Sequence, residues 1–296
     1  MSDGSKPGNY GPLLGLNAVS IIWGATFPLG KFVVATLPPF IYLSYRYVIA
    51  VVILFFISRS ALRRATRQQA LTAFLVGLAL FCSMIFQSVA VQYTSAAKTS
   101  FAFGAYVVFV PMLSFLLFRT RLTARIMAAS LMGVAGLALI GGGEASFFEW
   151  DFGVFLTIVA AFFAALQIIG VGRFAASIDA GMLSFYQSAA VTICCLIAAP
   201  LTETHPEQVP MSVYMAVLFL SVMATVAANI IQCRTQKHLN HSVAAIIISM
   251  SSLYGALLSW LFLDEPLTGR MLIGGGLLFA ALLVTQLGGS SAKASA

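Results

Sequence analysis

Charge is what this sequence has least of. Only 8% of its 296 residues are Asp, Glu, Lys or Arg, against roughly 25% in soluble domains. Hydrophobic residues make up 60% and the mean hydropathy is +0.97. Too few polar side chains exist to cover a water-facing surface, which excludes a soluble globule. Acids are scarcer than bases, nine against sixteen, for a net charge of +7. The basic excess forms no stripe and no RNA-binding motif accompanies it, so nucleic acid is not an expected partner. The four cysteines, Cys82, Cys194, Cys195 and Cys233, sit inside apolar runs and read as small buried hydrophobes, not as a disulfide framework. His205 and His238 fall between apolar runs and His241 at the very start of one, without metal-ligand spacing, and no pair of carboxylates lies within a run. Neither a metal centre nor a general acid–base pair is expected, and with them no enzyme activity, metal or cofactor. A cleavable signal peptide is not expected either: the first apolar run is too long and no small-residue cleavage site interrupts it.

What the chain does have is length without charge. A membrane-spanning helix needs about 20 apolar residues, and charge-free runs of that order cover 7–30, 68–97, 99–118, 126–143, 152–172, 180–202, 208–233, 239–263 and 271–292. A tenth, 39–58, is interrupted only by Arg46. Leu37-Pro38-Pro39, the Arg59 to Arg67 cluster, Gly141-Gly142-Gly143, Pro200, Pro210 and Asp264-Glu265-Pro266 punctuate them. The runs are apolar all round, as lipid-packed helices are, and the short alternating segments of a transmembrane barrel are absent. Ten transmembrane helices in an all-α membrane protein are expected.

Lys and Arg set the orientation. With a cytoplasmic N-terminus and ten crossings, the inner side holds Lys6, Arg59, Arg63, Arg64, Arg67, Arg119, Arg121, Arg125, Arg173, Arg234, Lys237 and Lys293. The outer side keeps Lys31, Lys98 and Arg270, together with Glu144, Glu149, Asp151, Glu203, Glu207, Asp264 and Glu265. Both termini are therefore expected in the cytoplasm.

Shifting the chain by 145 residues lays Leu113-Ser114 on Leu258-Ser259, Leu122-Thr123 on Leu267-Thr268, Arg125 on Arg270 and Gln87 on Gln232. Slightly shorter shifts lay Gly30-Lys31-Phe32 on Gly172-Arg173-Phe174 and Tyr45-Arg46 on Tyr186-Gln187. The expected domains are a first five-helix repeat over 1–145 and a second over 146–296. An odd number of helices per copy inverts the second one. Inverted copies can exchange roles as a site opens to each side in turn, so the symmetry points to transport.

Trp23-Gly24-Ala25-Thr26-Phe27-Pro28, Pro38-Pro39-Phe40 and Tyr45-Arg46 resemble the opening of EamA-type proteins of the drug/metabolite transporter superfamily. His241-Ser242-Val243-Ala244, running on to Leu263-Asp264-Glu265-Pro266-Leu267-Thr268-Gly269-Arg270, resembles the second half of the same proteins. The first-half loop Arg119-Thr120-Arg121-Leu122-Thr123 departs from that pattern in lacking Glu-Pro. The resemblance implies ten helices, a central cavity between the repeats, and export of small metabolites, amino acids and aromatic ones among them. It implies a bacterial inner-membrane location, with membrane lipid and a small-molecule substrate as partners. A monomer is expected, since two five-helix repeats already make a closed bundle.

Polar groups inside a membrane are costly and so are candidates for function. Gln87 and Gln232 hold equivalent repeat positions, and their amides offer donors and acceptors to a zwitterionic or hydroxylated ligand. Asn229 and Thr225 share a helical face with Gln232. Helix–helix hydrogen bonding is the alternative for all of these, as for Gln167 and Gln187. Trp23 and Tyr106, both mid-span, are expected to line the pathway or to pack; Trp23 and Phe27 precede Pro28, whose ring can kink the helix and bare carbonyls. Arg46 lies about eight residues into its run, roughly 12 Å deep at 1.5 Å per residue. Backbone carbonyls or a substrate carboxylate would answer it, and the resemblance implies a structural role. Lys31 and Lys98 are expected to snorkel to the headgroups. A non-transporting receptor or scaffold is the alternative role, and sugar phosphates or nucleotide sugars the alternative cargo, although these call for several mid-membrane cations where only Arg46 and Lys98 stand. No acid or histidine falls at the midplane, so transport without proton coupling is expected. The glycine patches 133–136 and 274–276 read as close helix packing.

Overall fold

A computed structural model describes residues 11–119, 124–141, 151–236 and 241–287. Asp3, Lys6 and Lys293, Arg121 with Leu122-Thr123, Gly142-Gly143, Glu144, Glu149, Lys237 and His238 lie outside those residues, and of Arg125 and His241 only the backbone is described. Within the described residues the chain is all helical. We number the helices α1 (Gly11–Val34), α2 (Pro39–Leu62), α3 (Arg67–Tyr93), α4 (Ala96–Phe103 and Tyr106–Phe118), α5 (Ala124–Gly141), α6 (Phe152–Phe174), α7 (Ala180–Thr202), α8 (Met211–Phe219, Leu220–Ala227 and Ala228–Gln236), α9 (His241–Leu263) and α10 (Gly269–Leu287). Seven of these, α1 to α4 and α6 to α8, are long and apolar enough to cross a membrane, while α5, α9 and α10 carry shorter apolar stretches. Large apolar side chains face outward all over the bundle, Leu116 and Leu201 being more than 70% exposed. Such a surface suits lipid and not water.

The boundaries correct two expectations. Lys98 does not separate the third and fourth helices: the break falls at Thr94 and Ser95, where the Ser95 hydroxyl accepts from Lys98 N at 3.1 Å. Lys31 and Arg59 lie within the last turns of α1 and α2, so counting only charge-free residues ends those helices too soon. His241 opens α9, at the start of the run 239–263.

The most extensive contacts all join one half of the chain to the other: α1 with α9, α3 with α6 and α7, α2 with α7, and α5 with α10. Small residues make this approach possible. A Cβ on Gly24 of α1 would meet Tyr254 Cβ of α9 at 2.6 Å, and one on Gly136 would meet Gly274 O at 2.6 Å. The glycine patches therefore pack α5 on α10 within the chain.

The two ends of the bundle differ in charge. One gathers Asp151, Glu203, Glu207, Asp264 and Glu265, and the other Arg59, Arg63, Arg64, Arg67, Arg119, Arg173 and Arg234. At the first end carboxylates serve as caps. Glu203 of the α7–α8 turn accepts from Phe40 N at 3.0 Å and Ile41 N at 2.9 Å, closing the start of α2. Glu265 accepts from Ala96 N and Ala97 N at the start of α4 and pairs with Lys31 Nζ at 2.9 Å. Asp151 caps α6, accepts from Thr94 Oγ1, and pairs with Lys98 Nζ at 3.3 Å. Each anion thus meets the positive end of a helix dipole, and both lysines bind carboxylates of their own chain instead of reaching for headgroups.

Candidate functional site

A cavity of about 90 Å³ lies at mid-length in the bundle, bordered by α1, α2, α3, α4, α6, α8 and α9. Helices of both halves build it because they interleave there. Aromatic side chains form one wall: Phe27 of α1 meets Phe103 of α4 edge-on at 5.9 Å, and Phe103 meets Tyr106 at 5.8 Å. The break in α4 permits this. At Gly104 and Ala105 the backbone turns through i→i+3 bonds, Gly104 N to Phe101 O and Ala105 N to Ala102 O. A Cβ at Gly104 would stand 3.2 Å from Ser252 Oγ of α9, so glycine lets the turn sit against that helix.

Five of the six residues singled out in the sequence border this one cavity: Trp23, Gln87, Tyr106, Gln167 and Asn229. The amides of Gln87 and Asn229 make no hydrogen bond to the described residues. Gln167 donates through Nε2 to Gln187 Oε1 at 2.9 Å, and Gln187 donates in turn to Leu183 O at 3.2 Å. Gln187 is buried beneath Gln167 and does not border the cavity. Gln232 departs from expectation. It is 1% exposed, absent from the lining, and its Nε2 finds no partner among the described residues.

The reason lies in α8. Leu220–Ala227 is a π-helical segment, with i→i+5 hydrogen bonds and wider turns than an α-helix. The wide turns take Thr225 off the face of Asn229, whereas Asn229 and Gln232 share the regular segment Ala228–Gln236, and Gln232, a turn farther along it, lies where the helices pack closed. Thr225 points at α2, Asn229 at the cavity, and Gln232 into the packed interior. The same segment offers the carbonyl of Ala224, which accepts from Trp23 Nε1 at 3.0 Å. Trp23 is thereby fixed at the middle of α1 as a cavity wall, not as an anchor at the membrane surface.

Arg46 also borders the cavity, at 6% exposure. Its partners are hydroxyls and not the backbone carbonyls expected of a buried arginine. Nε donates to Thr225 Oγ1 at 2.9 Å and Nη1 to Tyr42 OH at 3.0 Å. The guanidinium carbon stands 5.5 Å from the centre of the Tyr47 ring, a cation–π contact. Thr26, Phe27, Arg46 and Gln87 border a second, smaller space that runs toward Val34 and Val91, so these four stand where the two spaces meet. Sequence reasoning gave Phe103 and Ser251 no role. Nothing in the run 99–118 announces the break that turns Phe103 inward, apart from Gly104 itself.

The profile of the EamA-like transporter family matches residues 11–142 and 151–287. A protein of Archaeoglobus fulgidus described as an uncharacterized transporter is 29% identical over 274 residues, spanning 93% of this chain and 85% of its own length. Among solved structures, one described only as the crystal structure of a protein superposes with a TM-score of 0.69 at 18% identity, covering 96% of this chain and 98% of that one. At that identity it speaks for the fold alone.

Proposed function

This chain belongs to the EamA-like transporter family, and from that premise we propose that it exports amino acids, aromatic or otherwise neutral, through the central cavity by alternating access. It is a multi-pass membrane transporter of small molecules. One observation carries the finer reading: both halves supply walls to one mid-bundle cavity whose surface mixes unengaged amides with aromatic rings. Amides and rings match the polar head and apolar body of such amino acids.

The proposed frame is ten spans in two inverted five-helix repeats, both termini cytoplasmic, in a bacterial inner membrane. The pairings support it. Helices five apart in order, α2 with α7, α4 with α9 and α5 with α10, pack on each other, and the contact of α3 with α7 is matched by that of α2 with α8. Arg119 and Asp264, 145 residues apart, also hold the same left-handed backbone conformation after α4 and α9, with φ of 53° and 51°. The charge difference between the ends agrees with the proposed orientation.

The cavity lining, as described, includes no Asp, Glu or His. Proton-coupled carriers generally hold the proton on such a group, so we take the protein to be a facilitator that works as a monomer and without catalysis. Flux into proteoliposomes tests the whole reading. Labelled phenylalanine or leucine should equilibrate down its gradient only in vesicles containing the protein. Accumulation against that gradient, driven by an imposed pH difference and abolished by a protonophore, would contradict the uncoupled mechanism.

A further inference from the structure

Arg46 carries a charge that the fold does not answer. Burial strips its guanidinium of water, and a buried charge needs a counter-charge or a full set of hydrogen bonds. The hydroxyls of Thr225 and Tyr42 and the ring of Tyr47 orient the group without neutralising it. Those bonds use two of its five N–H groups. The other three find no acceptor among the described residues, on a side chain that borders the cavity. Asp151, Asp179, Glu203 and Glu265 serve as caps or ion pairs at the bundle ends, and no acid borders the described cavity. Among the described residues Arg46 is thus a rigid cation without a counter-charge, in the wall of an otherwise neutral chamber.

We propose that Arg46 is the anion-recognition residue of this chamber and that the transported metabolite carries a single carboxylate. The inference rests on the transport reading given above and sharpens its substrate class. A planar guanidinium with free N–H groups matches the two oxygens of a carboxylate in a forked pair. Arg46 is the one charged residue of the described lining, which fits a monoanionic head and not a phosphate dianion. Tyr42, Tyr47 and Thr225 hold the fork in place before the ligand arrives, so little side-chain freedom is lost on binding. Beside it, Gln87 and Asn229 offer carbonyl oxygens to an ammonium group but no opposite charge, and Phe27, Phe103 and Tyr106 receive an apolar body. The carboxylate decides entry and the amine adjusts it. A ligand with an amine and no carboxylate would bring a second cation to Arg46 and be repelled.

The test uses the full chain in lipid nanodiscs and compounds of one skeleton: L-phenylalanine, 3-phenylpropanoate, which lacks the ammonium, and L-phenylalaninamide and 2-phenylethylamine, which lack the carboxylate. Leucine, pyruvate and inorganic phosphate complete the set. Calorimetric binding should rank the two phenyl carboxylates together, with the two amines weaker by roughly 100-fold, the scale of a lost charge-assisted pair, and phosphate not competing. Arg46→Gln should erase the preference, binding phenylalanine and 2-phenylethylamine alike, and Arg46→Lys should restore part of it. If Arg46→Gln does not fold, Thr225→Val keeps the charge and removes its aim, and should weaken the carboxylates several-fold without strengthening the amines. The proposal is overturned if the wild type binds 2-phenylethylamine as tightly as phenylalanine, if no carboxylate in the set binds, or if the folded Gln variant or, failing it, Thr225→Val keeps the wild-type carboxylate preference and affinity. Transport of a neutral or cationic metabolite alongside such a result would leave the transport reading standing and remove this one.

Discussion

The two halves of the chain hold equivalent residues in unequal surroundings. In the proposed repeat Arg46 on α2 and Gln187 on α7 share a position, yet Arg46 borders the cavity while Gln187 lies beneath Gln167 and donates to a backbone carbonyl. Gln87 on α3 and Gln232 on α8 repeat the contrast, one unengaged at the cavity wall and the other sealed inside. Meanwhile Arg119 and Asp264 end their helices with the same backbone turn. On the proposed repeat, symmetry governs the scaffold and not the chemistry. A cavity polarised in this way presents its charge from one half only, so an asymmetric substrate has one preferred orientation within it.

Placing the charge in the wrong half should do the most damage. Gln187→Arg would bury a guanidinium at a site 2% exposed whose neighbours are an amide and a carbonyl. We expect a loss of about 3–5 kcal/mol, the scale of an uncompensated buried charge, read as loss of folded protein from the membrane fraction. Adding it to Arg46→Gln should not restore transport; rescue by the swapped pair would show the halves to be interchangeable. Arg46→Gln alone should lower the rate of carboxylate transport by roughly 10- to 100-fold with the folded protein retained, as initial rates in proteoliposomes would record.

The glutamines sharpen the comparison at smaller scale. Gln87→Ala should cost roughly 3- to 10-fold in flux, one or two ligand hydrogen bonds. Gln232→Leu should leave flux unchanged and raise thermal stability by about 1 kcal/mol, since it removes a buried, unpartnered amide. Equal losses of flux from both would return Gln232 to the pathway. The smallest effects are expected where the halves agree. Arg119→Gly and Asp264→Gly should each stabilise by about 1 kcal/mol or less, because glycine adopts positive φ without strain. The gain should be smaller at Asp264, since Asp tolerates that region better. Opposite signs at the two positions would break the scaffold symmetry.

The helices were legible because lipid-facing segments cannot hide their composition: runs of apolar residues marked the helices of the described residues, with ends misplaced where Lys31, Arg59 and Lys98 lie inside helices and find partners or the bundle end. Trp23, Gln87, Tyr106, Gln167 and Asn229 were legible as polar or amphipathic groups at mid-span. The sealed position of Gln232 was not, because it depends on which helices pack around that turn of α8; nor was the wide turn at Leu220–Ala227, which contains neither Gly nor Pro and reads as ordinary helix. The exposure of Arg46 to the cavity was equally hidden. Depth along a helix follows from counting, but which neighbours answer a charge depends on helices far apart in sequence, here Thr225 of α8.

The central claim is that the mid-bundle cavity, and not the equivalent position across the repeat, receives the transported molecule. Its most direct test begins from a variant with Cys82, Cys194, Cys195 and Cys233 replaced by Ala or Ser, since these four are the native thiols. Gln87→Cys or Gln232→Cys is then added, and each protein is treated with a water-soluble thiol reagent with and without saturating transported amino acid. The cavity reading predicts labelling at position 87 that the amino acid blocks, and no labelling at position 232. Labelling at 232 that substrate blocks, with 87 unreactive or unprotected, would contradict it.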